Sequence, residues 1–179
     1  MTNRAQEAQF VYCDESFGGQ ILAILNEAIM NSTALYDYQP RSPESMTPWF
    51  SAKRRGNYPV LGAVSNDGRL LGFATYGSFR AWPAYKYAVE HSIYVATAWR
   101  GQGIGKELLR RTIVAAESQD YHVLLGAIDS QNAVSIALHR AMGFTHAGTI
   151  RQVGFKFGRW LDLDLYQLIL KTPIHPIDG

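Results

Sequence analysis

The segment that most constrains this chain is a glycine-rich turn with the sequence Arg100-Gly101-Gln102-Gly103-Ile104-Gly105-Lys106. A strand pattern at 89–95 precedes it, and an amphipathic helical pattern begins within it. Glycines between a strand and a helix allow backbone N–H groups to converge on one point, which also lies at the positive end of the helix dipole. Arg100 and Lys106 add formal positive charge. The turn therefore predicts a binding site for a phosphate or a pyrophosphate.

The spacing of this turn excludes two common nucleotide-binding loops. A P-loop needs glycine where Arg100 stands and serine or threonine where Glu107 stands, and a dinucleotide fingerprint needs glycine in place of Lys106. The order Arg/Gln-x-x-Gly-x-Gly from Arg100 to Gly105 does match, and it resembles the acetyl-CoA pyrophosphate loop of the GCN5-related N-acetyltransferases. For this short segment alone, a plain structural turn is the alternative interpretation.

The composition is that of a globular domain with nearly balanced charge. The chain has 179 residues, 47% of them hydrophobic, and a formal net charge of +2. Because this length is enough for one complete core, we expect a single domain over 1–179 with loose tails at 1–8 and 172–179. The longest basic cluster, Lys53-Arg54-Arg55, is too short for a nucleic-acid surface and predicts the solvated end of a helix.

The sequence offers little for disulfide, metal or membrane chemistry. Cys13 is the only cysteine, and the five histidines have no paired spacing typical of a metal site. The first residues lack the apolar stretch of a signal peptide, and no segment approaches a membrane-spanning length. We therefore expect a cytoplasmic protein with no metal, no membrane partner and no nucleic-acid partner.

Hydrophobic periodicity and turn signals give the order of secondary structure. Ser42 and Pro43 mark the start of a second helix, and Asn66-Asp67-Gly68 marks a hairpin. The predicted strands are 10–13, 59–64, 70–76, 89–95, 122–128, 145–153 and 161–170. The predicted helices are 18–31, 42–55, 104–116 and 132–142. This order predicts an α/β fold with a mixed, mostly antiparallel central sheet flanked by helices.

Three longer segments are similar to one branch of the acetyltransferases. They are 89–95 (VEHSIYV), 127–139 (AIDSQNAVSIALH) and 156–163 (KFGRWLDL), and they resemble the phosphinothricin/methionine sulfoximine N-acetyltransferase branch. The resemblance implies the GNAT acyl-CoA N-acyltransferase fold and acetyl-CoA as co-substrate. It also implies direct transfer, in a ternary complex, to the α-amine of a small amino-acid analogue such as phosphinothricin, methionine sulfoximine or methionine sulfone.

Glu90 is the candidate general base. Period-2 alternation places it on the same strand face as Ser92 and Tyr94, while His91 faces the other way. A carboxylate in a buried strand is costly unless it is paired or used, so a structural salt bridge with a nearby arginine is the alternative. In the resembled branch the matching glutamate acts on the substrate amine, directly or through water, which favours catalysis.

His139 is the candidate for protonating the departing thiolate. Many acetyltransferases carry a tyrosine at this place, and the resembled branch, like this sequence, has histidine. A partly exposed helix histidine without a catalytic role is the alternative. Helical spacing places Asn132, Ser135, His139 and Met142 on one face of the predicted helix. This stripe presents polar groups in a line, which suits the pantetheine arm of CoA.

The resemblance also implies that main-chain groups bind CoA. Ile93, Tyr94 and Val95 would pair with the pantetheine amides, and a backbone N–H, that of Val95, would point at the thioester oxygen. We expect acetyl-CoA between the strands 89–95 and 122–128, with its pyrophosphate on the amides of 101–106.

Basic and aromatic residues in loops are the candidates for the acceptor site, because such residues often bind ligands. Arg80 is expected to hold the α-carboxylate of the acceptor through two hydrogen bonds, with Lys86 as its rival. The aromatics expected to wall the acceptor side chain are Tyr36, Phe79 and Trp82, and Tyr38 and Tyr85 lie in the same loops. His91 and Ser92 are placed at this site beside Glu90, although His91 is expected to pack in the sheet rather than to react.

Two other functions stay open on the sequence alone. Acetylation of a protein or peptide N-terminus would favour a wide acidic groove, against which the bulky acceptor-loop aromatics argue. A non-catalytic acyl-CoA sensor would keep the glycine turn without needing Glu90 or His139.

By resemblance we also expect a homodimer in which the loop 156–160 exposes two aromatics and closes the acceptor pocket of the partner. A packing turn within one chain is the alternative.

Overall fold

The computed structural model describes residues 8–178, which form two compact units. The first unit comprises 8–76 and 92–112, and the second comprises 77–91 and 113–178. Three elements contribute residues to both units, namely β3 (Leu70–Ser78), β4 (Ala88–Val95) and α3 (Ile104–Ser118). Residues 1–7 of the predicted N-terminal tail lie outside the described range.

The first unit combines antiparallel strands with two amphipathic helices. Its strands pair in sequence order, β1 with β2 and β2 with β3. Apolar side chains of the helices and of β3 fill its core, among them Ile21, Leu25, Phe50 and Phe73. The elements that begin in this unit are β1 (Gln9–Tyr12), α1 (Gly18–Asn31), α2 (Met46–Arg55), β2 (Val60–Val64) and β3 (Leu70–Ser78).

The second unit is a mixed sheet with one helix after its central strand. The start of β4 pairs in parallel with β5, from Ala88 opposite Val123 to Glu90 opposite Leu125. β5 and β6 both pair antiparallel with β7, so the strand order in this unit is β4-β5-β7-β6. Its remaining elements are β5 (Val123–Asp129), α4 (Ala133–Ala141), β6 (Thr145–Lys156) and β7 (Arg159–Ile169).

The predicted order of strands and helices is confirmed, but the second helix begins later than expected. A short 3-10 turn, Pro43–Ser45, comes first, and α2 begins at Met46. Pro48 explains the difference: it has no N–H and is tolerated only near a helix start, so an α-helix from Ser42 would lose a hydrogen bond there.

The last two strands are longer than the sequence indicates. The expected loop 156–160 is reduced to a two-residue turn, in which Phe157 and Gly158 have φ values of 50° and 72°. Positive φ at both positions is typical of the type I′ turn, which matches the twist of paired strands. Lys156 and Arg159 therefore pair across the strands, and Lys156 is buried.

The predicted loose C-terminal tail is hydrogen-bonded to the rest of the second unit. The Thr172 hydroxyl donates to the carbonyl of Tyr121 at 2.6 Å, and the backbone N–H of Ile177 donates to the Tyr87 hydroxyl at 3.1 Å. Between residues 8 and 178, none of the helices has the length and apolarity needed to cross a bilayer.

Candidate active site

The glycine turn in the first unit connects β4 to α3. After Val95, a 3-10 turn at Thr97–Trp99 leads into it, and α3 begins at Ile104. Gly101 and Gly103 have φ values of 73° and 84°, a region that side-chain-bearing residues rarely adopt. These two glycines are therefore required for the chain to turn directly into the helix N-terminus, where free backbone N–H groups favour an anion.

The side chains of the turn are compatible with a bound anion. Arg100 donates through Nε to the carbonyl of Val95 at 3.0 Å, and Lys106 is exposed in the first turn of α3. The carboxylate of Glu107 would oppose an anion there, but it accepts hydrogen bonds from Arg110 and Arg111 at 2.7–2.8 Å, which offset its charge. The turn thus keeps its positive character.

Gln102 supplies one further sign of a ligand. Its Nε2 donates to the carbonyl of Ala98 at 3.2 Å, whereas its Oε1 is buried without a hydrogen-bond partner in residues 8–178. Buried acceptors are normally paired, so this oxygen is available to a donor from a bound molecule or a water. The residues of the turn fit the pyrophosphate of acetyl-CoA.

The end of β4 in the first unit lies close against β3. A Cβ added to Gly72 would lie 2.7 Å from the carbonyl oxygen of Tyr94, so only glycine permits this approach. The Tyr94 ring contacts Phe73 on one face of the strand, with ring centroids 5.4 Å apart. The predicted CoA-binding residues Ile93, Tyr94 and Val95 therefore precede the glycine turn on a well-supported strand.

Glu90 is half-buried on the part of β4 that belongs to the second unit. Burial raises the pKa of its carboxyl group, and the charge of Arg80 lowers it to a lesser extent. None of the arginines or lysines in the described part of the chain forms an ion pair with Glu90, which disfavours the alternative of a structural salt bridge. Such a carboxylate is a stronger base than a solvated one.

The predicted acceptor loop of the second unit holds several of its residues together. The guanidinium of exposed Arg80 lies over the Phe79 ring, 4.7 Å from its centroid, and Phe79 contacts Tyr85 edge-on at 5.7 Å. Trp82 is 68% exposed. The rival cation, Lys86, lies instead over the Tyr87 ring at 5.1 Å, so Arg80 is the cation whose charge acts on Glu90.

Two residues of the predicted acceptor site, Tyr36 and Ser92, belong to the first unit, as does the neighbouring loop residue Tyr38. Tyr36 and Tyr38 follow α1 and are 37% and 66% exposed, and Ser92 is half-buried on β4. Exposed aromatics in this segment agree with the sequence interpretation that they are outside the core.

His91 and His139 form a buried pair in the second unit. Their Nε2 atoms are 3.1 Å apart, and their rings are stacked with an interplanar angle of 14°. His139 Nδ1 lies 2.7 Å from the carbonyl oxygen of Ser135, which can only accept, so Nδ1 carries a hydrogen. A neutral His139 therefore has a lone pair on Nε2, and His91 Nε2–H is the donor between the rings. Both nitrogens of His139 are thus bonded to protein groups.

The surroundings of this pair keep it apolar. Phe144 meets both imidazole rings edge-on, and a Cβ added to Gly126 would lie 3.0 Å from each Nε2. Burial, and secondarily the charge of His139, lowers the pKa of His91 to about 3. Burial also lowers the pKa of His139, against the opposing effect of its bond to Ser135. The folded protein therefore holds both rings neutral at neutral pH.

This pair predicts a specific loss of stability in acid. The unfolded chain takes up protons at histidines below pH 6.5, whereas folded His91 does so only near pH 3. The free energy of unfolding should therefore fall as the pH falls through this window, by up to about 1.4 kcal/mol per pH unit for each histidine. Urea unfolding between about pH 7 and pH 5 measures this slope.

The matched variants for this test are His91→Gln and His175→Gln. His175 is exposed and lies outside the buried pair, so His175→Gln serves as the control, and the slope should be smaller in His91→Gln than in this control. The raised pKa of Glu90 changes the free energy of unfolding with pH in the opposite direction. Because Glu90 is present in both variants, its contribution to the slope is the same in each. Equal slopes in the two variants would show that His91 titrates normally in the folded protein.

The beginning of α4 is fixed by polar contacts. Asn132 caps the helix by accepting from the backbone N–H of Ser135 at 3.1 Å, so its side-chain oxygen already has a structural partner. Just before it, buried Asp129 accepts from Arg159 at 2.8 Å, which fixes the end of β5 to the last hairpin. Hydrogen bonds therefore link Asn132 to Ser135 and Ser135 to His139 along one helix face, and Asn132 is the N-cap residue of α4.

Comparison with known proteins assigns the chain to one family. Residues 26–144 match the family described as "Acetyltransferase (GNAT) family". The chain belongs to this family. The L-methionine sulfoximine/L-methionine sulfone acetyltransferase of Pseudomonas paraeruginosa is 46% identical over 150 residues, which cover 84% of this chain and 87% of that protein.

Two further relatives cover most of this GNAT chain. The phosphinothricin N-acetyltransferase of Alcaligenes faecalis is 36% identical, over 82% of this chain and 75% of that protein. A phosphinothricin acetyltransferase structure from Sinorhizobium meliloti, solved with acetyl-CoA, matches with a TM-score of 0.90 at 33% identity, over 95% of this chain and 92% of that chain. These relations confirm the predicted family and branch, the α/β fold class with its mixed sheet, and the prediction of an acetyltransferase enzyme. The roles of individual site residues stay predictions.

Several residues of this GNAT protein were not singled out from the sequence. Gly126 and Phe144 surround the histidine pair, and Asp129 pairs with Arg159.

The prediction of a solvated end for Lys53-Arg54-Arg55 is wrong for Lys53, whose side chain is half-buried among aromatic rings. Trp49 one helical turn earlier was the only local signal for that position.

Proposed function

We propose that this acetyltransferase transfers the acetyl group of acetyl-CoA to the α-amine of a small amino-acid analogue, such as phosphinothricin, methionine sulfoximine or methionine sulfone. Attack would be direct, in a ternary complex, and in the cytoplasm, where acetyl-CoA is used. The observation that carries the proposal is Glu90, a half-buried carboxylate with a raised pKa and no ion pair to an arginine or lysine in residues 8–178. The printed functions of the relatives support this class of acceptor.

The chemistry requires one proton acceptor and one anion site. The acceptor amine arrives as an ammonium ion and loses a proton to Glu90, directly or through water. The amine nitrogen then bonds to the thioester carbonyl carbon, the C–S bond breaks, and the second proton lost by the nitrogen is taken up by the departing CoA thiolate. The backbone N–H groups of 101–106 would hold the pyrophosphate. The Sinorhizobium meliloti relative was solved in complex with acetyl-CoA, which supports acetyl-CoA as the co-substrate.

We assign His139 the smaller role in this scheme. Both of its ring nitrogens are hydrogen-bonded, to Ser135 and to His91, and a thiolate is already a fair leaving group. We therefore expect His139→Ala to lower kcat less than loss of Glu90 does.

A thiol-release assay tests the proposed function. The protein is incubated with acetyl-CoA and each of methionine sulfoximine, methionine sulfone, phosphinothricin and an N-terminal peptide, and free CoA is measured. Release that depends on the amino-acid analogues supports the proposal. Release with the peptide alone would assign a peptide acetyltransferase, and absence of release with every acceptor while CoA binds would favour an acyl-CoA sensor.

Arg80→Ala is expected to impair binding of the acceptor and not of acetyl-CoA. A guanidinium holding the α-carboxylate makes a charge-assisted pair, and because Arg80 is exposed we expect a loss of about tenfold in kcat/KM for methionine sulfoximine. Steady-state kinetics with each substrate varied in turn measures it. Lys86→Ala is the matched control in the same loop, and an effect of Lys86→Ala with none of Arg80→Ala would move the carboxylate site to Lys86.

We also propose a homodimer formed through the β6–β7 hairpin. The hairpin exposes apolar side chains over an unusual length, and these are Ile150, Val153, Phe155, Phe157 and Trp160, each 42–59% exposed. Phe157 and Trp160 would contact the partner, whereas Arg159 is bound to Asp129 of its own chain. Light scattering should give about twice the 20.0 kDa of one chain. Trp160→Lys should shift the measured mass toward that of the monomer. A monomeric wild-type protein at micromolar concentration would contradict the proposal.

A further inference from the structure

The buried histidine pair of the second unit leaves one polar atom without a partner. His91 donates through Nε2 to His139, so its other nitrogen, Nδ1, carries a lone pair that needs a donor. No residue between 8 and 178 donates to this atom, which is buried. A buried acceptor without a partner costs free energy, and an apolar side chain of similar size would avoid that cost. The stability of the fold therefore does not explain a histidine at position 91.

Gly126 of β5, in the same unit, provides the space in which the two rings meet. A Cβ added to this glycine would lie 3.0 Å from each Nε2, closer than side chains normally pack. Its backbone is outside the left-handed region, so only the nearness of the rings requires glycine here. Gly126 directly follows Leu125, the β5 residue opposite Glu90. The pair of rings thus lies beside the end of the parallel pairing between β4 and β5.

The helix that carries His139 is held at both ends. At its start, Asn132 caps α4, and Asp129 just before it is bound to Arg159. At its end, the backbone N–H of Phe144 donates to the carbonyl of His139 at 3.0 Å, and the Phe144 ring meets the imidazole edge-on. The side chain of His139 therefore has a fixed place from which it can hold a neighbour.

His91 joins this helix to the strand of the predicted base. It follows Glu90 directly on β4, and Glu90 is the last β4 residue in the parallel pairing with β5. Alternation along the strand puts the two side chains on opposite faces. The hydrogen bond from His91 to His139 therefore holds the backbone at Glu90 without occupying its carboxyl group. A shift of the His91 ring would move the backbone from which the Glu90 side chain projects.

We propose that His91 and His139 are positioning residues for Glu90, and that the hydrogen bond between their Nε2 atoms fixes the base relative to α4. The inference rests on the proposed function, in which Glu90 accepts the amine proton. It gives His139 a role that needs no contact with the CoA thiolate, because both of its ring nitrogens keep their protein partners. The placement of a base matters because a displacement of about 1 Å can cost about 10²-fold in rate.

The double variant His91→Leu/His139→Leu tests the proposal, because it removes both polar rings and leaves neither of them unpartnered. kcat should fall by about 10- to 100-fold, whereas KM for methionine sulfoximine and for acetyl-CoA should each stay within about twofold. The free energy of unfolding at neutral pH should be no lower than that of wild type, since the unpaired acceptor is gone. His91→Gln keeps an N–H that can donate to His139, so it should recover most of the kcat that His91→Leu loses.

Gly126→Ala disturbs the pair without removing a histidine. Its methyl group would press against both Nε2 atoms and part the rings, so kcat should fall in this variant too. Gly19→Ala is the matched control, because a Cβ at exposed Gly19 meets no atom within 4 Å. These two variants also carry the test if the double leucine variant is not folded.

The Glu90→Gln background separates positioning from an independent role of His139. Without a base to place, the two leucine substitutions should cost little further rate. Losses that multiply would show that His139 acts on its own, as an acid for the thiolate would, and would overturn the inference. A kcat of the double variant within about threefold of wild type would overturn it as well.

Failure of the proposed function gives a different result. If wild-type protein acetylates none of the acceptors, that function fails, and the placement of Glu90 is measured by NMR of its labelled carboxyl carbon, assigned with Glu90→Gln. The resonance and the pH at which it titrates should change in His139→Leu and stay unchanged in His175→Leu. An unchanged resonance in His139→Leu overturns the inference whatever the activity.

Discussion

Replacing Glu90 by Gln should lower kcat by about 10²- to 10⁴-fold, the usual cost of losing a general base. The amide has nearly the size of the carboxylate but cannot accept the amine proton. Burial raises the pKa of Glu90, so wild-type kcat should also fall as the pH falls through that raised pKa. The deficit of the variant should shrink at high pH, because free amine then accumulates without a base. Stopped-time thiol release over a pH series measures both effects.

The control for this variant is Glu117→Gln. Glu117 is exposed near the end of α3, so its replacement removes the same charge without touching the predicted base. Acetyl-CoA affinity, measured by titration calorimetry, should be nearly unaltered in both variants. If kcat of Glu90→Gln stays within about threefold of wild type, another group accepts the proton.

Gly103→Val should abolish detectable CoA binding. Gly103 has φ 84° directly before α3, where its backbone approaches the expected pyrophosphate, and valine would both strain this turn and place methyl groups where the anion should bind. Titration calorimetry with CoA measures the loss, and kcat/KM for acetyl-CoA should fall with it.

Gly68→Val separates strain from ligand contact. Gly68 has a similar φ of 82° in the turn between β2 and β3, and an added Cβ there meets no atom within 4 Å. Both variants should lose comparable stability from the left-handed backbone, but only Gly103→Val should lose CoA binding. Normal CoA affinity in Gly103→Val would remove the glycine turn from the CoA site.

Short-range patterns account for the features that the sequence predicts well. Helix α1 is found at Gly18–Asn31 as expected, because its apolar spacing is local and strong. The hairpin at Asn66-Asp67-Gly68 and the strand–glycine–helix order at 100–106 likewise depend on a few neighbouring residues. The start of α2 is a local feature as well, because Pro48 and not Pro43 limits where the α-helix can begin.

Local sequence patterns were enough for the order of elements, the position of the glycine turn and the candidate base Glu90, and the resemblance added the acetyltransferase family. Which polar groups are desolvated, and what they contact, depends on the folded chain. Folding pairs His91 with His139 across 48 positions of sequence and surrounds Lys53 with aromatic rings. Burial and partner geometry depend on residues far apart in the chain, and periodicity carries no information about such contacts. For that reason the directions in which the pKa values of His91, Lys53 and Glu90 are shifted followed only from the folded protein.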